Sequence, residues 1–334
     1  MTNYEKFYHA GLAVDPIHVG TGGSQLGRVD NTIVRDPVTR IPKIPGSSLA
    51  GVTRAYAAMA KGKYPDCAGQ GQTRSDGSGG HCGKHDCPIC TVFGFARGRQ
   101  GGFAGLAAFS DMHVLLFPVA TREGPVWVTA PIALRQLDFI KDLPELPDVD
   151  AIYLSSSSFK SQMLNLGWLL LGVKKDGWDG FNSVTEALKV LIPEYIKSRV
   201  VVISDKLFHH VVNSNLEVRT SVAINPVTGA ADDGALFTYE ALPRGTVLYW
   251  EVTCRNPAHF RIGGKEIIYG TKKATTDDVH GVVETAHPYL EHLGIGGMGT
   301  RGMGRLRVWN GKNSVNQPGD RKSQVGGDTN AGEH

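Results

Sequence analysis

GRVDNTIVRDPVTRIPKIPGSSLAG, residues 27–51, is the stretch on which the reading of this 334-residue chain turns. Two acids, Asp30 and Asp36, sit among Arg28, Arg35, Arg40 and Lys43. Pro37, Pro42 and Pro45 each remove a backbone donor and fix φ, so the stretch reads as a loop and not as one long strand or helix. Ser47 or Ser48 is placed to cap a helix over residues 48–61. Its start would offer free N–H groups to an anion such as phosphate. Leu49, Val52, Tyr56 and Met59 recur at helical spacing on one face, and Arg54 falls off that stripe, free either to meet a ligand or to sit in water.

Residues 62–102 are glycine-rich and polar, the signature of a long insertion with few apolar residues of its own. Four of the five cysteines lie in it, Cys67, Cys82, Cys87 and Cys90, with His81 and His85 beside them. Cys87-Pro-Ile-Cys90 is a CxxC knuckle, and no strand-then-helix frame of a redox protein surrounds it. Thiolates in this number suit a closed tetrahedral zinc site that staples the loop. Which four of the six side chains bind is left open by spacing alone.

Working outward, residues 7–14 and 105–116 read as strands, residues 199–204 as a buried strand, and 246–254 as a strongly alternating one. Pro131 opens a helix, residues 143–158 form a Pro- and Ser-rich surface connection, and Ser183 to Glu186 fits a capping box. Thr276 and Asp277 cap a further helix, kinked near Pro288. Residues 213–243 contain turn signals at Asn225-Pro226 and Thr228-Gly229, so two extended arms meet at an exposed tip. Val222, Ile224 and Val227 near that tip are out of place on a free surface unless they pack or bind something. Residues 295–305, IGGMGTRGMGR, fit GxGxxG by chance. A helix precedes them and a strand follows, the reverse of a dinucleotide fingerprint, so NAD is rejected. Arg301 and Arg305 there suit phosphate instead. Residues 311–334 have no periodicity and should be disordered.

Irregular alternation of strands and helices favours α+β over a doubly wound sheet. The 41% hydrophobic content supports a real core, and a net charge of +3 places any nucleic-acid affinity in local patches. No long apolar run and no charged-then-apolar leader appear, and the cysteine usage is that of a metal site, so the chain is expected to be cytoplasmic with no membrane partner.

Three motifs in order carry a resemblance. They are the GxxD of residues 27–30 with R-D-P-x-T at 35–39 and I-P-G-S-S-L at 44–49; the P-V-x-T-x-x-G…V-T-x-P of residues 118–131 after Ser110-Asp111; and T-G-x-A…G-A-L-F-x-x-E-A-L-P at 228–243. With these the chain resembles the backbone RAMP subunits of type III CRISPR effector complexes, the III-B (Cmr) type before its Csm relative. The resemblance implies an RRM-like, ferredoxin-like palm across residues 1–310, with the zinc-stapled insertion at about 62–102 and a β-hairpin thumb at about 213–243. It implies copies stacked as a filament on CRISPR RNA with other effector subunits, serving antiviral defence. Each thumb would wedge the guide–target duplex through Val222, Ile224 and Val227. Each copy would cut complementary single-stranded RNA at regular intervals as an endoribonuclease using Mg²⁺ or a similar cation. Asp30 is the expected catalytic carboxylate, with Asp36 the runner-up for that role or, in R-D-P-x-T, a turn anchor. His18 is a candidate acid or base, or else structural. Lys43, Ser47, Ser48, Arg54, Arg301 and Arg305 are expected on RNA phosphates, with Tyr239 and Glu240 bordering the cut. The competing reading is a guide-binding subunit without nuclease activity; a guide-maturing RAMP nuclease fits the motifs less well.

Overall fold

The computed structural model describes residues 2–22, 29–69, 80–98, 101–137, 140, 143–154, 159–175 and 177–309. The tail at 311–334, Gly27, Arg28 and residues 70–79 of the insertion lie outside them. Alternating side chains make Tyr4–Ala13 the strand β1. Then follow α1 (Gly46–Ala60), α2 (Pro88–Phe93), β2 (Met112–Thr121) and β3 (Gly124–Thr129). Next come β4 (Ala151–Leu154), β5 (Met163–Leu166), β6 (Leu169–Lys175), α3 (Phe181–Leu191) and β7 (Val200–Val202). The chain ends with α4 (Asp205–Ser214), β8 (Glu217–Ile224), β9 (Ala231–Ala241), β10 (Val247–Arg255), α5 (Thr276–Glu284), α6 (His287–His292) and β11 (Leu306–Trp309).

The architecture is α+β around one 11-stranded mixed sheet, ordered β11-β1-β10-β2-β3-β7-β4-β6-β5, with two short strands added at its side. The β7–β3 and β6–β4 pairs are parallel and the rest antiparallel. Strand β10, VLYWEVTCR, is buried along most of its length, as a central strand must be when both faces are covered. Helix α5 packs on β1 and β10, α6 on β11, and α1 on both helices. Among the described residues, β8 and β9 pair with each other as a two-stranded arm outside the large sheet.

Four expectations are corrected. Residues 143–154 hold no mere surface connection, because Ala151, Ile152, Tyr153 and Leu154 are all buried as β4, and residues 155–158 lie outside the described ones. Ser183 caps nothing: α3 begins earlier, where Phe181 packs edge-on against buried Trp178 at 5.9 Å, and no side chain caps it. The capping box belongs to Thr275 and Asp278, one residue from the expected pair. The kink near Pro288 is a complete break, α5 stopping at Glu284 and α6 restarting with Pro288 in its first turn.

Between β1 and α5 lie His9 and His280, their Nε2 atoms 3.2 Å apart, with His9 stacked on Trp250 and His280 on Phe7. Burial, reinforced by His287, holds both imidazoles below their ordinary 6.5, His280 at about 4. The folded chain therefore keeps them neutral while the unfolded chain takes up protons below pH 6.5, so stability is full above that pH and is lost as pH falls toward 4. The His280 share alone is on the order of 3 kcal/mol. Denaturant titrations at pH 7.5 and 5 should show a lower midpoint in acid; equal midpoints would contradict it.

Candidate functional site

The loop after β1 does not run free. It is stitched to β9, the returning arm of the hairpin. The Asn31 N–H donates to the Thr238 carbonyl and the Glu240 N–H to the Asn31 carbonyl, both at 3.0 Å. Asp30 lies at the head of this seam. Its Oδ2 accepts the Thr238 N–H at 2.7 Å and the Thr238 hydroxyl at 2.9 Å, which hold its carboxyl below the usual range. The carboxylate is thus ionised and oriented at the root of the arm.

Two residues along β9, the Glu240 carboxylate accepts from the Arg35 guanidinium at 2.8 Å and from the Ile33 N–H at 3.4 Å. Arg35 also donates to Asn213 on α4 at 2.8 Å, tying the far side of the loop to the base of the arm. His18 is 7% exposed, its Nδ1 donates to the Glu240 carbonyl at 2.6 Å, and its ring meets Tyr239 edge-on. His18 and Asp30 therefore grip the same strand from successive seams. Beyond them the arm projects outward. Its tip is a turn in which the Asn225 side chain accepts the N–H groups of Val227 and Thr228. Val222, Ile224 and Val227 are 43, 55 and 92% exposed, so much of each side chain faces solvent.

Asp36 anchors a turn: its Oδ1 accepts the N–H groups of Val38 and Thr39 and the Thr39 hydroxyl. Lys43 spans Asp111 at 2.7 Å and Asp36 at 3.7 Å. The start of α1 is capped from a distance, the Asp111 carboxylate accepting the Gly46 N–H at 2.8 Å, and neither Ser47 nor Ser48 caps it. A side chain at Gly46 would meet the Phe109 carbonyl at 2.7 Å, so only glycine lets the helix approach this closely. Ser47 is exposed and Ser48 half-buried.

The glycine-rich loop closes on the chain itself. The Gly297 and Gly304 N–H groups donate to the carbonyls of His18 and Pro16, and a Cβ at Gly296 would lie 2.3 Å from the His18 oxygen. Arg305 forms a two-armed pair with Asp15. Arg301 lies over the Phe237 ring at 5.9 Å, exposed, on the same side as the arm.

Arg54 turns away from that surface. It donates to the Cys67 carbonyl at 2.7 Å and contacts His81 Nδ1 at 2.8 Å. Cys67, Cys82, Cys87 and Cys90 bring their sulfurs within 4.8 Å of one another, with 3.7 Å between Cys82 and Cys90 and 4.0 Å between Cys67 and Cys87. A tetrahedron with metal–sulfur bonds of about 2.3 Å has edges of about 3.8 Å, so the donor set fits a metal ion. Thiol hydrogen bonds from Cys87 and Cys90 push Cys67 down, and the same bond pushes Cys87 up to about 12. The four sulfurs group together, and neither His81 nor His85 joins them.

The profile of the RAMP superfamily matches residues 12–307. The chain belongs to the RAMP superfamily. Over 320 residues, 91% of this RAMP chain and 95% of the relative, it is 27% identical to the CRISPR system Cmr endoribonuclease Cmr4 of Pyrococcus furiosus. Its likeness to the CRISPR system Cms endoribonuclease Csm3 of Methanothermobacter thermautotrophicus is 41% but covers 26% of this chain and 28% of that one. Among solved structures, a Cmr-beta chain from the cryo-EM structure of the type III-B apo state superposes with a TM-score of 0.60 at 17% identity, covering 91% of this chain and 96% of that chain. A crystal structure of Cmr4 gives 0.57 at 20%, covering 91% and 99%. The likeness is of Cmr type along nearly the whole chain, and of Csm type in shorter stretches.

Residue reasoning missed the partners that position this RAMP site: Thr238 behind Asp30, Asn213 behind Arg35, and Asp111 at α1. No local pattern marks them, because each acts across more than sixty residues of chain. No helix among the described residues is long and apolar enough to cross a membrane.

Proposed function

We propose that this chain is a backbone subunit of a type III-B CRISPR ribonucleoprotein, stacking with further copies and other subunits along a guide RNA and cleaving complementary single-stranded RNA at regular intervals. One observation carries this reading: an ionised, oriented carboxylate, Asp30, sits at the root of a projecting arm whose tip exposes three aliphatic side chains. Apolar wedges unstack bases. An acid among phosphates repels RNA and has little place in a surface built only for binding, which favours a nuclease over a passive guide-binding subunit. The setting would be the cytoplasm.

Strands β1, β2, β10 and β11 with α1 and α5–α6 follow the β-α-β-β-α-β order of an RRM-like palm, spread in the sheet as β11-β1-β10-β2. Residues 1–310 are read as that single domain, with the insertion and thumb as additions. The four cysteines are read as a structural zinc site, Arg54 balancing thiolate charge through the Cys67 carbonyl and His81.

The RNA 2′-hydroxyl next to the scissile bond attacks the phosphorus in line and gives its proton to solvent, while charge grows on the phosphate oxygens. The P–O5′ bond breaks with the leaving oxygen taking up a proton, so the products are a 2′,3′-cyclic phosphate and a 5′-hydroxyl. The two hydrogen bonds that keep Asp30 ionised also make it a weak base, so its role is to hold a divalent cation and the attacking group in place. Bound there, Mg²⁺ or a similar ion would supply charge stabilisation. His18, buried and donating to Glu240, positions β9. On the RNA side, Arg301 and the exposed Ser47 lie open to phosphate. Ser48, Lys43 and Arg305 are read as further phosphate contacts, the last two already paired with carboxylates.

A guide-loaded complex containing this chain should cut a complementary RNA and spare an unrelated one; equal treatment of both would overturn the reading. Deleting the arm tip, residues 224–231, should leave the sheet folded, since β8 and β9 stand outside the large sheet. Chemical probing should then lose the evenly spaced unpaired bases along the guide–target duplex. An unchanged pattern would show that the arm is not the wedge.

A further inference from the structure

We infer that Thr238 is a positioning residue for cleavage, a clamp on the thumb's return strand that sets the Asp30 carboxylate. The inference rests on Asp30 being the catalytic carboxylate. The Thr238 hydroxyl stands between two atoms of one residue, accepting the Asp30 N–H at 3.1 Å and lying 2.9 Å from Asp30 Oδ2. With a lone pair engaged by the N–H, its single proton goes to Oδ2. The Thr238 backbone N–H gives that same oxygen a second bond at 2.7 Å. An aspartate carboxylate otherwise turns broadly about its last torsion; here one oxygen is pinned by two donors. With Oδ2 carrying both Thr238 bonds, Oδ1 is in this reading the oxygen that takes the cation or the attacking group.

The clamp lies on the element that meets the duplex. Thr238 pairs with Thr220 across the arm, and the same two strands run on to the exposed tip. Its neighbour Tyr239 is buried against Met303, and Phe237 packs beside it under Arg301. That packing fixes the strand below the clamp while the arm above it stays outside the sheet. The clamp therefore seats the Asp30 carboxylate on the same strand that carries the exposed tip.

The test compares Thr238→Val, which keeps shape and removes the hydroxyl, with Thr238→Ser, which restores it, in guide-loaded complexes. Target affinity and the maximal single-turnover rate are measured separately, with Asp30→Asn alongside. Thr238→Val should cut roughly 10-fold slower at saturation with affinity unchanged, as for losing a hydrogen bond to a charged group. Thr238→Ser should return to within about 3-fold of wild type. A wild-type rate in Thr238→Val, a serine variant as slow as the valine one, or a parallel loss of assembly or affinity would overturn the clamp. If Asp30→Asn is inactive while Thr238→Val is normal, only the clamp fails. If Asp30→Asn cuts normally, the catalytic reading fails and the clamp with it.

Discussion

Asp30→Asn should cut target RNA about 100-fold or more slowly than wild type while binding guide and target at least as tightly. Asparagine keeps the size of the side chain, and its oxygen accepts the two Thr238 donors, so the seam between the loop and β9 stays closed. What disappears is the negative charge that holds a cation beside the scissile phosphate. Removing an acid from a phosphate-lined surface lowers repulsion, so affinity holds or rises. Asp36→Ala supplies the contrast. It removes all three bonds of the residue 36–39 turn and the contact to Lys43, so assembly and cutting should fall together. Filter binding and single-turnover cutting on both variants separate a chemical role from a structural one. An Asp30→Asn complex that cuts at the wild-type rate would leave a structural RNA-binding subunit.

Cys87→Ser combined with Cys90→Ser should take the metal content from about one zinc per chain to none. Two of four ligands cannot close a tetrahedral site. The consequence reaches past the metal. The Cys67 backbone stands at φ 60°, a left-handed conformation, and Arg54 reaches across to its carbonyl, so the cluster holds that conformation and ties the insertion to α1. Structural zinc contributes on the order of 10 kcal/mol to folding in small zinc modules. Its loss here should expose residues 62–102 to protease while the large sheet stays intact. Elemental analysis and limited proteolysis check both halves. Protein purified without chelators and free of zinc would contradict the assignment.

Much of this was legible in the sequence because the relevant signals are local. The CxxC knuckle with two upstream cysteines marked the cluster, and the turn residues at Asn225 and Gly229 marked the hairpin. Asp36, two residues before Val38, marked its own turn. What stayed hidden depends on residues far apart in the chain. β4 is four apolar residues between Asp150 and Ser155, too short to stand out from its polar flanks, and only the neighbouring β7 and β6 make it a strand. Ser47 and Ser48 looked like caps because the sequence does not show Asp111 arriving from β2's side of the sheet. Arg54 looked free until Cys67 and His81 folded back over α1. In residues 295–305 Arg301 and Arg305 read as phosphate contacts, while nothing local announced that the Gly297 and Gly304 N–H groups close on the His18 and Pro16 carbonyls. In each case the deciding partner lies far away in the chain.

The most direct test is to incubate the guide-loaded complex with an end-labelled complementary RNA, with and without EDTA, and to resolve the products at single-nucleotide resolution. A ladder of evenly spaced cuts that vanishes with EDTA and returns with added Mg²⁺ is the predicted result. Intact RNA, or cuts without regular spacing, would contradict it.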